Sequence, residues 1–258
     1  MSRIAKAFDH GKAFIGFVTG GDPTLDKSEE FILEMLRAGA DLVEIGIPFS
    51  DPIAEGPTIQ AANIRALANG ATVDGCFELA RRVRAKTDVP LVFLTYLNPV
   101  FRRGYDKFFA DCKNSGVDGV IIPDMPFEEQ GEAKPIAAKY DVDVISLIAP
   151  TSEARIAEIA SQAAGFIYVV SSMGVTGVRS EITTDLNAII TQIRKVSEVP
   201  AAIGFGISTA QQAREMSKYA DGVIVGSAIV KLCEKYGADA GSKIYEYVKT
   251  MKEAAAGS

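Results

Sequence analysis

Residues 38–48 read AGADLVEIGIP, with an aspartate placed directly before a short apolar run. The same arrangement recurs in SGVDGVIIPD at 115–124 and in KYADGVIVGSA at 218–228. Each apolar run is about 5–7 residues long and rich in valine and isoleucine, without clean polar alternation, as expected of parallel strands buried on both faces. The repeat therefore predicts several equivalent parallel strands.

Further apolar runs of the same character complete a regular series. They lie at 13–23, 89–96, 143–152, 165–174 and 199–208. Helical patterns lie between the runs, as in SEEFILEMLRAGA at 28–40. Eight strand–helix units in 258 residues favour a TIM (β/α)8 barrel over the alternative, a doubly wound open sheet. We expect a single domain over 1–258, with extra helices at the N-terminus and after strand two.

Composition narrows the range of partners and compartments. The net charge of −6 and pI near 5.0 argue against a general affinity for nucleic acid or anionic membranes, since both need a basic surface. Three cysteines without close spacing form no zinc or disulfide pattern. Because the chain lacks a secretion signal and any apolar stretch of about 20 residues, we expect a cytoplasmic protein.

The stretch LVEIGIPFSDPIAEGPTIQ at 42–60 carries three acids with different expected roles. Glu44 interrupts an apolar run, where burial would raise its pKa into the range useful for a general acid or base. A buried, hydrogen-bonded structural acid is the alternative. Asp51 could begin an Asp-Pro turn, and Glu55 could be solvated or functional. Tyr168, in a later run, could line the site or pack in the barrel.

Two kinds of catalytic group are missing from the strand runs. None contains a lysine, which argues against a Schiff-base mechanism. One histidine, His10, and scattered cysteines argue against a catalytic metal site. Carboxylates, tyrosine and water are therefore the expected proton carriers.

Glycine-rich segments follow the last three predicted strands, at 174–177, 204–208 and 225–230. Glycines let main-chain N–H groups approach a ligand closely, and the loops after strands seven and eight form the usual phosphate site of this barrel. Ser227 would open a short helix whose N-terminus favours an anion. We therefore expect a phosphate site, with the loop at 171–182 as a candidate lid.

Nearly the whole chain resembles the tryptophan synthase alpha subunit. The resemblance is carried, in order, by FVTGGDP (17–23), VEIGIPFSDPIAEGPTIQ (43–60), YVVSSMGVTG (168–177), GFGIS (204–208) and GSAIV (226–230). It implies a TIM barrel that cleaves indole-3-glycerol phosphate to indole and glyceraldehyde 3-phosphate without a cofactor of its own. It also implies a beta subunit that carries pyridoxal phosphate and takes up the indole in an alpha-beta-beta-alpha complex.

The resemblance also implies roles for individual residues. Glu44 would be the general acid and base, Glu55 would bind the indole N–H, and Tyr168 would lie near the glycerol chain. The remaining implied positions are Phe17, Leu94 and Tyr96 around the indole; Gly177, Gly206, Gly226 and Ser227 at the phosphate; Thr176 as a further substrate-binding residue; and Asp51, Asn98 and Pro99 toward the partner.

One position departs from the family pattern, which usually has Asp where this chain has Glu55. Glutamate is one methylene longer, so the geometry at the indole nitrogen could differ. Two alternatives remain open: another phosphate-binding barrel, such as an indole-glycerol-phosphate synthase or an isomerase, and a non-catalytic or weakly active barrel that mainly activates a beta subunit. The missing strand lysine weighs against the synthase, and Glu44 and Tyr168 weigh against the inactive partner.

Overall fold

The computed structural model of the chain describes residues 3–170, 185–204 and 206–257. Within them, the strands form one all-parallel sheet. They are β1 (Ala13–Thr19), β2 (Leu42–Gly46), β3 (Leu91–Leu94), β4 (Gly119–Ile121), β5 (Asp143–Val144), β6 (Ser146–Ile148), β7 (Ile167–Val170), β8 (Ala201–Gly204) and β9 (Gly222–Val225).

The strand order β5-β4-β3-β2-β1-β9-β8-β7-β6 closes the sheet into a barrel. Only Ile145 separates β5 from β6, and its N–H donates to the Val120 carbonyl oxygen at 2.9 Å, so the two pieces together are the predicted fifth strand. The first strand pairs with both the second and the last. Because β5 and β6, at the two ends of this order, are pieces of one strand, the sheet closes on itself, whereas a doubly wound sheet keeps two free edges. The predicted (β/α)8 barrel is confirmed.

The aspartate that opens each repeated motif joins its strand to the preceding one. The side chain of Asp41 accepts the N–H of Phe14 at 2.7 Å, and the Asp41 N–H donates to the Phe14 carbonyl oxygen at 2.9 Å. Asp118 makes the same pair of bonds with Leu91. Asp221 makes it with Ala201. Each aspartate thereby fixes the register at which two strands enter the barrel.

Helices surround the sheet, and five of those in the described residues begin where a side chain accepts an N–H of the first turn. Thr24, for example, accepts the Lys27 N–H, and Thr209 forms a capping box with Gln212. The helices are α1 (Arg3–Lys6), α2 (Leu25–Arg37), α3 (Pro57–Ala68), α4 (Val73–Arg84), α5 (Leu97–Arg103), α6 (Tyr105–Ser115), α7 (Gln130–Lys139), α8 (Glu153–Ser161), α9 (Leu186–Arg194), α10 (Ala210–Ser217), α11 (Ser227–Tyr236) and α12 (Gly241–Ala256).

Two helices were not predicted from the sequence. The short α5 follows β3 directly and carries the NPVF segment at 98–101. The terminal α12 buries Ile244, Val248 and Met251, which recur at helical spacing. It extends into the EAAAGS tail, where Ala254 and Ala255 are also buried.

The amino-terminal end of the barrel is closed by apolar side chains. Ile4 on α1 is fully buried, and Phe8 packs on Phe166 with ring centroids 6.1 Å apart. Access to the interior is therefore left at the carboxyl ends of the strands, where this fold places its chemistry. Among the described residues, no helix is both long enough and apolar enough to cross a membrane.

Candidate active site

Glu44 lies in the middle of β2 and is only 1% exposed. Its Oε1 atom has no hydrogen-bond partner among the described residues. Burial raises the pKa of Glu44 to about 8, the upward shift expected from its place in an apolar run. A pKa of about 8 leaves the Glu44 carboxyl mostly protonated at neutral pH.

Tyr168 on β7 lies close enough to Glu44 for the two groups to interact electrostatically. It is 6% exposed, and its pKa is raised well above the usual value by burial and by the nearby charge of Glu44. The ring lies over Gly204 of the neighbouring β8, where a Cβ atom would be 2.6 Å from the Tyr168 Cζ atom. A glycine at 204 is therefore what lets the tyrosine ring lie across the barrel mouth.

A second glycine, Gly46, makes room for the ring of Phe17. Phe17 on β1 is paired in register with Glu44 on β2. A Cβ atom at Gly46 would lie 2.6 Å from the Phe17 Cζ atom. Phe17 packs in one apolar cluster with Ile59 of α3, and Leu94 at the end of β3 packs against it. The arrangement gives a flat apolar wall beside the buried acid.

Glu55 lies directly before α3 and is buried, not solvated, at 6% exposure. Its Oε2 atom accepts a hydrogen bond of 2.7 Å from Nδ2 of Asn63. The Gln60 side chain donates to the Glu55 carbonyl oxygen at 2.7 Å. Burial raises the pKa of Glu55, the Asn63 bond lowers it, and the result is a pKa of about 7. Near neutral pH this carboxyl can therefore accept a proton.

The segment that carries Glu55 is fastened to β3 by Tyr96. The Tyr96 hydroxyl accepts the Ala54 N–H at 3.1 Å, and its ring stacks on Phe49 with centroids 5.3 Å apart. Burial and then the charge of Glu55 raise the pKa of Tyr96. Tyr96 thus lies close to Glu55, and the sequence predictions Glu44, Glu55, Tyr168, Phe17, Leu94 and Tyr96 meet at one end of the barrel.

An ion pair that the sequence did not indicate holds α3 in place. Asp22, in the loop after β1, is 3% exposed and receives two bonds from Arg65, at 2.9 and 2.8 Å. Arg65 also approaches Glu234 of α11 at 3.6 Å. In the sequence, Asp22 lies at the end of a predicted strand. Arg65 and Asn63 lie in an ordinary helical pattern, and no local feature of the sequence distinguishes them.

The predicted phosphate positions fall after the last strands. Gly206 follows β8 with a φ of +83°, a value that favours glycine, and Gly226 precedes α11 with Ser227 as its first residue. The helix N-terminus expected at 227 is confirmed, and its free N–H groups favour an anion. Thr176 and Gly177, with the candidate lid at 171–182, lie outside the described residues.

The residues predicted to face a partner lie on an exposed surface at the same end of the barrel. Asp51 and Asn98 are exposed and Pro99 is half-buried. Beside them, Ile53 and Phe101 are 73% and 68% exposed, which is unusual for large apolar side chains.

Two other polar residues differ in their place: Asp124 lies near Tyr96, whose pKa its charge helps to raise, whereas His10 lies away from the site. Asp124 accepts the Leu97 N–H at 2.8 Å and braces the start of α5. His10 is exposed near the closed end of the barrel. In the described part of the chain, no group of three or more His, Cys, Asp or Glu residues is arranged to hold a metal ion.

This chain is similar to known proteins over almost its whole length. The sequence model of a family described as "Tryptophan synthase alpha chain" matches residues 4–256. Tryptophan synthase alpha chains of Lactiplantibacillus plantarum and Lacticaseibacillus casei are 50% and 48% identical to this chain, each over 98% of it and 96% of the relative. A solved chain of the Pyrococcus furiosus tryptophan synthase α2β2 complex is 33% identical, with a TM-score of 0.86 over 94% of this chain and 98% of that one.

Proposed function

The chain belongs to the tryptophan synthase alpha chain family, whose members are lyases that cleave indole-3-glycerol phosphate in tryptophan biosynthesis, and we propose that Glu44, Glu55 and Tyr168 form its catalytic centre. The observation that carries this proposal is the fully buried Glu44, with one oxygen unpaired among the described residues and a pKa of about 8. It lies beside Tyr168 at the open end of the barrel.

Glu44 supplies the protons for the retro-aldol step. As a neutral acid, it delivers a proton to C3 of the indole ring, which converts the ring to an indoleninium ion. The carboxylate so formed then takes the proton of the glycerol hydroxyl on the carbon attached to the ring. The bond between that carbon and C3 breaks, its electron pair returns to the ring, and indole and an aldehyde leave. One acid used twice needs a pKa near the working pH.

Glu55 acts at the ring nitrogen. A carboxylate that accepts the indole N–H stabilises the positive charge that develops when C3 is protonated, and so makes the ring an electron sink. A pKa of about 7 gives Glu55 a large ionised fraction at neutral pH. The burial of Glu55 beside α3 supports this role over that of a solvated loop acid.

The other side chains orient the substrate. Phe17, Leu94 and Tyr96 form the apolar wall and floor for the indole, and Tyr168 lies toward the glycerol chain. Gly206, Gly226 and Ser227 hold the phosphate through main-chain N–H groups and the N-terminus of α11, and we assign Thr176 and Gly177 to the same site. Fixing both ends of the substrate aligns C3 with Glu44.

As a member of this family, the chain acts with a beta subunit, and pyridoxal phosphate belongs to that subunit. We place the partner on the exposed surface of Asp51, Asn98 and Pro99. The neighbouring apolar side chains Ile53 and Phe101 support this choice, because removing them from water would favour association. Free, buried cysteines support a reducing, cytoplasmic location.

The direct test is indole release from indole-3-glycerol phosphate by the chain alone and with a beta subunit. We expect release in both settings, and a loss of at least a hundred-fold in Glu44→Gln, as for removal of a general acid–base group. Release by neither preparation would favour a barrel that only activates its partner. Near-normal turnover of Glu44→Gln would remove Glu44 from the mechanism and leave the lyase activity standing.

A further inference from the structure

The side chain of Asn63 has no role in the mechanism above, yet it touches one of its acids. We propose that Asn63 is a positioning residue for the cleavage: its amide holds Oε2 of Glu55 so that Oε1 faces the indole N–H. This inference rests on the proposed role of Glu55 at the ring nitrogen and deepens it.

The position of Asn63 in α3 is the first argument. The buried residues of this helix are Ile59, Ala62, Asn63 and Ala66, so the amide stands in an otherwise apolar row and is 3% exposed. A buried amide costs free energy unless it is hydrogen-bonded. Nδ2 of Asn63 bonds Oε2 of Glu55 at 2.7 Å. The pair is thus a specific contact between two buried polar groups.

The length of the Glu55 side chain is the second argument. Its main chain is fixed by the bond from Gln60 to its carbonyl oxygen, so the extra methylene must be taken up by the side chain. Asn63, two helical turns further on, holds one oxygen of that side chain. This bond engages Oε2, one of the two carboxyl oxygens, and the inference assigns the other oxygen, Oε1, to the substrate N–H.

The charge on the Glu55 carboxyl is the third argument. Burial favours the neutral carboxyl, which cannot accept the N–H proton, and the Asn63 bond opposes that shift. Asn63 therefore keeps Glu55 both in place and ionised. A residue that only filled space in α3 would do neither.

The test compares the pH dependence of indole release in the wild type and in Asn63→Leu, which keeps the branching at Cγ and removes the donor. We expect turnover at pH 7 to fall about ten-fold or more, with the acidic limb of the profile displaced to higher pH. Asn69→Leu, on an exposed asparagine at the end of the same helix, is the matched control and should leave the limb unchanged. If Asn63→Leu does not fold, Asn63→Ser removes the same contact with less apolar bulk.

Coupling between the two residues gives the sharper measurement. In Glu55→Asp the carboxyl is about 1.5 Å shorter and no longer reaches Asn63. Adding Asn63→Leu to that variant should change turnover less than two-fold. An unchanged acidic limb in Asn63→Leu, or an equal loss in both backgrounds, would overturn the inference. A wild type that releases no indole would instead overturn the proposed function, before any variant is compared.

Discussion

The ring of Tyr168 occupies the space that a side chain at Gly204 would fill: a Cβ atom there would lie 2.6 Å from the Tyr168 Cζ atom. The two residues lie on neighbouring strands, and burial and the charge of Glu44 raise the pKa of the tyrosine. A single missing methyl group on β8 therefore decides where an aromatic ring on β7 lies relative to the buried acid.

Gly204→Ala is expected to push the Tyr168 ring off its place and to lower kcat for indole release by ten-fold or more, since small misplacements near the reacting atoms are costly. The matched control is Gly131→Ala on α7, where an added methyl group meets nothing within 4 Å. A crystal structure of Gly204→Ala with an unmoved tyrosine and full activity would contradict the expectation.

The free energy of unfolding should respond to Glu44→Gln in a pH-dependent way. The pKa of Glu44 is raised from 4.5 to about 8 on folding, so the wild type loses stability as pH rises between these values. Glutamine does not ionise and avoids this loss. Each pKa unit corresponds to about 1.4 kcal/mol, so urea unfolding at pH 8 should show the variant more stable by roughly 3–5 kcal/mol.

Glu29→Gln is the control of opposite sign. Burial alone would raise the pKa of Glu29, but bonds from Lys86 and Arg82 lower it. Its ionised form therefore stabilises the fold at neutral pH, and the glutamine variant should be less stable there. A gain of stability in both variants would show that the glutamines act through packing and not through ionisation.

The pH profile of kcat/KM should be bell-shaped, with its maximum between the two carboxyl pKa values. Activity rises as Glu55 loses its proton near pH 7 and falls as Glu44 loses its own near pH 8. Steady-state assays of indole release from pH 5.5 to about 9.5 would define both limbs. A maximum below pH 6 would mean that Glu55 acts as a neutral acid.

Gly206 should be needed for phosphate binding. Its φ of +83° strains any other residue, and a side chain would also keep its main chain from the phosphate. Gly206→Val is expected to raise KM at least ten-fold, and inorganic phosphate should compete with substrate in the wild type. Gly70 has the same φ and open space around it, and it lies outside the site. Gly70→Val therefore introduces the same backbone strain and should leave KM near normal.

The barrel could be predicted from the sequence because its signal repeats. Each of the aspartates 41, 118 and 221 precedes a buried run, and the recurrence identified equivalent strands before any contact was known. Their bonds to the start of the preceding strand could not be predicted, since that neighbour lies about 20 to 30 residues back in the chain. The helix α12 was not predicted, although Ile244, Val248 and Met251 recur along it at helical spacing.

The candidate site could be predicted in part, from residues that contradict their surroundings. An acid in an apolar run indicates Glu44, and a glycine-rich segment indicates the turn at Gly206. Asn63 and Arg65 carry no such contradiction, because polar residues are ordinary on a helix. Only the folded chain shows that these two face inward, toward Glu55 and Asp22.

The bond between Arg65 and Asp22 has a consequence for substrate choice. It ties α3, which begins directly after Glu55, to the loop after β1, while the same arginine reaches toward α11, whose first residue is Ser227. Arg65 thus links the two ends of the proposed site, at Glu55 and at Ser227. We therefore expect a molecule with a longer or shorter chain between its ring and its phosphate to fill one end of the proposed site and leave the other empty.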